Sequence, residues 1–241
     1  LSSGVSLPQG PVQLPLVAHN HARLSTRLIT SLFVDSVPPI CQGMTLDGST
    51  LPLYRASITT VRVAWNCTDG QLGSGIVDNA TEYALGTVPG AHDAIPWSNV
   101  DSLSSPLKAS GTLLLPPFAF LDGVAYYVSV RTADRVTLTA QISSARLIID
   151  TTPPHFSYEI AVFDEKHGRA VRYWPHASYV RARWEANDAH SGISAIHVAI
   201  AQANDTLPLD QMQALGAEAK SGASWNVSGS PLLQGASYYA H

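Results

Sequence analysis

Three kinds of side chain in this sequence could carry chemistry: two cysteines, nine histidines and several carboxylates near predicted turns. His19 and His21 share one strand face, but no third metal ligand follows them, so we expect ordinary solvated histidines. The sequence contains no nucleophile elbow, phosphate-binding glycine loop, zinc-protease helix motif or dinucleotide fingerprint. It therefore predicts a protein that is not an enzyme, with no catalytic residues, no metal and no cofactor.

The carboxylates leave one alternative open. Asp69, Asp78 and Asp188 lie in turn-rich sequence without a dense run of alternating aspartates, so turn formation is their expected role. Calcium needs about 6–8 oxygen ligands. A calcium site between repeats that uses Asp35 or Asp150 remains the less favoured alternative.

The composition excludes several classes of protein. Of the 241 residues, 13% are charged and 45% are apolar, a mixture that favours a folded core over disorder. The net charge of −4 and the absence of a Lys/Arg run argue against a nucleic-acid partner. The most apolar stretch, residues 113–121, is too short for a membrane span and is broken by Pro116 and Pro117.

An internal repeat organises the chain, because four blocks occur twice in the same order. Each copy has an Asp separated by two residues from Pro-Pro, a strand ending in Trp, a Ser-Gly-Ile turn and a Gly-x-x-Tyr-Tyr block. The blocks are marked by Asp35, Trp65, Ser74 and Tyr126 in one copy and by Asp150, Trp184, Ser191 and Tyr238 in the other. We interpret residues 1–35 as the closing strands of a preceding repeat. Residues 36–150 are then a complete repeat, and residues 151–241 a further repeat that is cut short.

The strands show period-2 alternation. Val61, Val63 and Trp65 fall on one face, while Arg62 and Ala64 fall on the other. One packed and one solvated face is typical of antiparallel sheets. The sequence therefore predicts an all-β protein of tandem antiparallel β-sandwiches, with core residues Trp65, Trp184, Tyr126 and Tyr238.

Two finer predictions concern single elements. Tyr126 is in phase with Val128 and Val130, so it should be more buried than Tyr127, with its hydroxyl bonded to backbone near Leu121 or Asp122. Tyr238 should repeat this arrangement. Residues 209–220 are the one plausible helix, with Asp210 as its cap.

Cys41 and Cys67 are expected to form a disulfide within the complete repeat. Cys67 follows Trp65 by two residues and shares its inward face, and Cys41 lies on the first strand. The equivalent positions of the next repeat hold Phe156 and Ala186, both apolar, as expected if the two positions touch in the core. The bond would close a loop of about 26 residues and stabilise the fold by about 3 kcal/mol. Two buried free thiols are the alternative.

Four N-glycosylation sequons indicate exposure to a secretory compartment. Asn66 should point outward, because it lies between inward-facing Trp65 and Cys67. Glycans would also keep a surface with few charges soluble. Together with the cysteines, they place the chain outside the cell or on its surface. The predicted glycosylation sites are Asn66, Asn79, Asn204 and Asn226.

The Asp-Thr-Thr-Pro-Pro junction, the Trp-ended strand, the Ser-Gly-Ile turn and the Tyr-Tyr block resemble fibronectin type III-like or immunoglobulin-like extracellular repeats. The similarity is greatest to large surface proteins of algae and other protists, including mastigoneme filament proteins of cilia and sexual adhesion proteins. This resemblance implies a structural spacer or interaction module of a surface appendage or coat, with N-glycans and other protein chains as partners. A cell-adhesion receptor ectodomain, including one for gamete adhesion, and an accessory module of a secreted glycosidase are the alternatives.

Overall fold

The computed structural model describes residues 7–58, 60–77, 79–100, 110–157, 160–164, 169–171, 179–201, 213–216, 223–226 and 239–240. It forms two compact units, Leu1–Ile149 and Asp150–His241. The described residues are strands and loops without an α-helix, so the protein is all-β over this part of the chain. None of them belongs to a helix that could cross a membrane.

The first unit has eleven strands among its described residues. They are β1 (Gly10–His19), β2 (Ser25–Val34), β3 (Ile40–Leu46), β4 (Leu53–Arg55), β5 (Arg62–Thr68), β6 (Glu82–Gly86), β7 (Ile95–Asn99), β8 (Ser110–Leu114), β9 (Ala125–Ala133), β10 (Thr139–Ser143) and β11 (Leu147–Ile149).

Three sheets are built from these strands. β1 and β2 form an antiparallel hairpin of their own, in which Gly10 is opposite Val34 and His19 is opposite Ser25. A three-stranded sheet has the order β3-β5-β8, and a six-stranded sheet has the order β4-β11-β9-β6-β7, with β10 also paired to β9. All pairs are antiparallel except β4 with β11, which run parallel.

One apolar core joins the three-stranded and six-stranded sheets. Val63, Trp65 and Cys67 from β5 pack in the same cluster as Val128 and Val130 from β9. The exposed neighbours Arg62, Asn66 and Thr68 alternate with the buried residues of β5, which is the strand phase predicted from the sequence. Period-2 alternation thus determines which residues of each strand enter the core.

The second unit has ten shorter strands in its described part. They are β12 (His155–Phe156), β13 (Ala161–Asp164), β14 (Arg169–Ala170), β15 (Tyr179–Arg183), β16 (Ala186–Asn187), β17 (Ala195–Val198), β18 (Ile200–Ala201), β19 (Gln213–Gly216), β20 (Ala223–Asn226) and β21 (Tyr239–Ala240). The order β14-β13-β15-β20 makes one sheet, and β12-β16, β17-β19 and β18-β21 are separate pairs. Trp184, Ala182 and Ala186 form a small core with Ile196 and Val198.

The predicted helix over residues 209–220 is wrong where the structure describes it. Residues 213–216 form β19, which pairs with β17 so that Leu215 lies opposite Ile196. Leu215 also packs against the core that contains Trp184. Gln, Ala and Leu favour a helix, but a short run cannot form one alone, so pairing with a neighbouring strand decides its conformation.

Candidate functional site

The aspartate that ends the β1–β2 hairpin is bonded to the Ser-Gly-Ile turn of the same unit. Asp35 directly follows β2, and its Oδ2 accepts a hydrogen bond from the backbone N–H of Ser74 at 2.6 Å. Its Oδ1 accepts from the backbone N–H of Val37 at 3.2 Å and from the side-chain amide of Gln9 at 2.6 Å. The carboxylate therefore fastens the chain leaving the hairpin to a loop 39 residues further on.

A second aspartate shapes the same turn. Asp69 directly follows β5, and its Oδ2 accepts from the backbone N–H of Gly75 at 2.6 Å. Gly75 has φ of 87°, a left-handed conformation that glycine adopts without steric cost. Arg135 then donates its backbone N–H to the carbonyl of Gly75 at 3.0 Å, which joins the turn to the end of β9.

The second unit repeats this arrangement with its own residues. Asp150 Oδ2 accepts from the backbone N–H of Ser191 at 2.9 Å, and its Oδ1 accepts from the backbone N–H and hydroxyl of Thr152. Asp188 Oδ1 accepts from the backbone N–H of Gly192 at 2.7 Å, and Gly192 has φ of 78°. We call the two aspartates that accept hydrogen bonds from the backbone of one Ser-Gly-Ile turn the aspartate clamp. It consists of Asp35 and Asp69 in the first unit and of Asp150 and Asp188 in the second.

Both leading aspartates of the clamp are held in the ionised form. Hydrogen bonding by Ser74, assisted by Gln9 and Val37, lowers the pKa of Asp35 to about 2. Hydrogen bonding by Ser191 and Thr152 holds the pKa of Asp150 well below its usual range. Each clamp is thus a charged acceptor bound by neutral donors.

The predicted disulfide is present, and the repeat relation explains its location. Cys41 and Cys67 are bonded and lie opposite each other on β3 and β5. The equivalent residues Phe156 and Ala186 are also opposite each other, on β12 and β16. Phe156 is 63% exposed, however, so this position lies at the surface of the second unit and not in its core as expected. A strand of only two residues does not cover it.

The tyrosine of the first unit has the predicted geometry. Tyr126 is 3% exposed, and its hydroxyl accepts a hydrogen bond from the backbone N–H of Leu121 at 3.1 Å. Phe118 and Phe120 pack edge-on against its ring, at centroid distances of 5.8 and 5.2 Å. Tyr127 is half-buried on the opposite face. Tyr238, predicted to repeat this contact, lies outside the described residues.

The tryptophans of the two units are equivalent in burial as well as in sequence. Trp65 and Trp184 are each 3% exposed, and each belongs to the apolar core of its unit. In each unit the second clamp aspartate, Asp69 or Asp188, lies four residues after this tryptophan. In the first unit the buried ring anchors β5, the strand that Asp69 directly follows.

Two sequons are placed on the surface of the first unit. Asn66 is exposed on β5, between buried Trp65 and Cys67, and Asn79 is exposed in a turn with φ of 65°. Asn226 ends β20, opposite Tyr179, in the second unit. Asn204 lies outside the described residues. Asn66 and Asn79 are therefore accessible acceptors for a glycan.

The sequence shows the Asp before Pro-Pro and the Ser-Gly-Ile turn as repeated blocks, but the contact between them was not predicted. The signal was present, because Asp35 and Asp150 are followed by Ser74 and Ser191 at nearly the same spacing, 39 and 41 residues. Polar residues that recur together across repeats are candidates for direct contact, whereas each block alone reads as a turn. No protein-family model, no curated protein and no solved structure matches the chain.

Proposed function

We propose that this protein is a non-enzymatic extracellular repeat protein that acts as a structural spacer and interaction module of a cell-surface appendage or coat. Each repeat is an immunoglobulin-like or fibronectin type III-like sandwich. The single observation that carries the proposal is the aspartate clamp, in which Asp35 and Asp150 each accept from the backbone N–H of the serine of a Ser-Gly-Ile turn. Its presence in both units indicates that the contact belongs to the architecture of the repeat.

The organisation of the first unit supports the sandwich. The sheets β3-β5-β8 and β4-β11-β9-β6-β7 share one core, with Trp65 from the first and Tyr126 from the second. A buried Trp and an inward Tyr whose hydroxyl bonds to upstream backbone are features of such domains. The disulfide joins two strands of one sheet, β3 and β5, and so reinforces the unit.

The segments that follow the clamp aspartates support a spacer role. Pro38 and Pro39 follow Asp35, and Pro153 and Pro154 follow Asp150. Proline fixes its own φ and holds the preceding residue in an extended conformation, so each segment is stiff where it leaves the clamp. A stiff segment fastened by an ionised carboxylate favours the constant geometry that a stalk or filament requires.

The β1–β2 hairpin supports the repeat interpretation of residues 1–35. Large apolar side chains remain exposed along both strands, including Leu16 at 66% and Leu28 at 64%. Monomeric proteins rarely expose a contiguous apolar surface of this kind without a partner. Closing strands of a further sandwich have such a face, because the remaining strands of that sandwich cover it.

Labelling of intact cells tests the proposal. Antibodies raised against residues 36–150 should bind living, unpermeabilised cells of the source organism, and the signal should extend along an appendage or coat. Antibodies to a cytosolic protein serve as the control and should stain only after permeabilisation. Staining that requires permeabilisation would overturn the extracellular placement. Staining confined to a mating contact site would favour a cell-adhesion receptor over a component of an appendage or coat.

A further inference from the structure

Three aspartates converge beside the Ser-Gly-Ile turn of the first unit. Asp35, Asp69 and Asp134 directly follow the last residues of β2, β5 and β9. One ligand oxygen from each lies within 4.8 Å of the others. None of the three forms an ion pair with a described Lys, Arg or His. Three carboxylates this close repel one another unless a cation or a proton compensates their charge.

Two carboxylate oxygens at this place have no hydrogen-bond partner although they are buried. Asp134 is 1% exposed; its Oδ1 accepts from the backbone N–H groups of Val136 and Leu138, but its Oδ2 accepts from no described residue. Asp69 Oδ1 is buried and unpartnered as well. Buried carboxylate oxygens carry a large desolvation cost and are normally paired or coordinate a metal. These oxygens are therefore the ones left for a ligand.

We propose that Asp35, Asp69 and Asp134 bind one calcium ion. All three metal ligands are carboxylate oxygens, which suit a hard cation. The group contains no imidazole or thiolate that would favour zinc. Calcium tolerates irregular geometry and a high coordination number, so carboxylates from three separate chain segments can be completed by backbone carbonyls or water. Asp35 Oδ1 already accepts two hydrogen bonds, whereas its Oδ2 accepts one and keeps a lone pair for the ion.

The ion would join three parts of the first unit. It would connect the end of the hairpin, the loop after β5 and the end of β9. In the described part of the second unit, Asp188 Oδ1 accepts from the backbone N–H groups of His190, Ser191 and Gly192, and neither oxygen of Asp188 is buried without a partner. The clamp is thus common to both units, whereas the calcium site belongs to the first. The site is a property of the purified chain and does not depend on the proposed function.

Calorimetric titration of the full chain tests the site. Calcium chloride should bind with a stoichiometry of one and a Kd of about 10⁻⁴–10⁻³ M, as in extracellular modules. At calcium concentrations about 100-fold above the Kd, the melting temperature of the first unit should rise by roughly 5–10 °C. Magnesium should bind more weakly. Absence of binding at these concentrations, or magnesium binding as tight as calcium binding, would overturn the proposal.

Variants locate the ion. Asp134→Asn and Asp69→Asn should each remove the calcium-dependent rise in melting temperature. Asp93→Asn is the matched control: Asp93 is an exposed carboxylate of the same unit that bonds to Thr87, and its variant should keep the calcium response. A full calcium response in both Asp134→Asn and Asp69→Asn would overturn the assignment.

A pair of glycines provides a second test that leaves every carboxylate in place. A Cβ added at Gly73 would overlap the Asp69 carboxylate, whereas one added at Gly70 meets no atom within 4 Å. Gly73→Ala should therefore weaken calcium binding at least tenfold, and Gly70→Ala should leave it unchanged. Equal affinities in the two variants would contradict the role of Asp69. This pair also keeps the test valid if an aspartate variant fails to fold.

Discussion

The two units differ at one equivalent pair of residues that lie opposite each other on neighbouring strands. In the first unit, Cys41 and Cys67 lie opposite each other and are covalently bonded. In the second, the equivalent Phe156 and Ala186 are opposite each other without a bond. The aspartate clamp is present in both units. The strand pairing and the clamp are therefore constant features of the repeat, and the disulfide is an addition that one unit has and the other lacks.

The largest difference between the units should appear when the disulfide is removed. The double variant Cys41→Phe, Cys67→Ala gives the first unit the residues of the second and should lower its free energy of unfolding by about 3 kcal/mol. The second unit should keep its stability. Calorimetry of the full chain with and without reductant measures both transitions, and an equal loss in both units would contradict the assignment.

The reverse exchange should make the units more alike. The double variant Phe156→Cys, Ala186→Cys should form a disulfide on oxidation, because the two residues are paired in register. Stabilisation of the second unit should be about 2 kcal/mol, below the value for the first unit because engineered bridges distort their surroundings. Peptide mapping under non-reducing conditions checks the bond. Two free thiols after oxidation would show that the pairing differs from that of Cys41 and Cys67.

A smaller effect is expected for the inward tyrosine of the first unit. Tyr126→Phe removes the hydroxyl that accepts from the Leu121 N–H and should cost about 1 kcal/mol, since Leu121 itself is exposed. Tyr127→Phe is the matched control on the other face and should have a smaller effect. Urea unfolding of the two variants measures the difference. Equal stabilities would contradict a stabilising role of the Tyr126 hydroxyl.

The smallest effect concerns the clamp of the second unit and depends on pH. Because its pKa is lowered in the folded state, ionised Asp150 contributes stability above the pKa of the unfolded chain and loses it as pH falls through the folded value. Ser191 and Thr152 bond to it, and His190 Nδ1 lies 3.5 Å away. The stability advantage over Asp150→Asn should be present near about pH 6 and shrink toward about pH 2. Urea unfolding across this range measures it, and a constant difference would contradict the clamp.

Much of the first unit could be predicted because its information is local. The alternation of inward and outward residues along β5 and β9 predicted that Trp65 and Tyr126 are buried. Comparison of the two repeats predicted that Cys41 pairs with Cys67. Local patterns failed where a distant strand decides the outcome, as at residues 213–216, which pair with β17. They also failed at Phe156, since sequence spacing does not show how well a short strand is covered.

The contribution of Asp134 could not be predicted for a related reason. It is an isolated aspartate after a strand, and no motif marks it. The antiparallel bridge between Ile76 and Asp134, together with the Arg135–Gly75 hydrogen bond, brings it beside the Ser-Gly-Ile turn and hence beside Asp69. Sites assembled from single residues of several strands depend on the strand order, which the spacing along one sequence does not encode.

The most direct test of the extracellular placement is peptide mapping of the protein from its natural source, before and after enzymatic N-deglycosylation. The account predicts glycan at two or more of Asn66, Asn79, Asn204 and Asn226. It also predicts a non-reduced peptide that links Cys41 to Cys67. Unmodified asparagines at all four positions, together with free thiols at both cysteines, would contradict it.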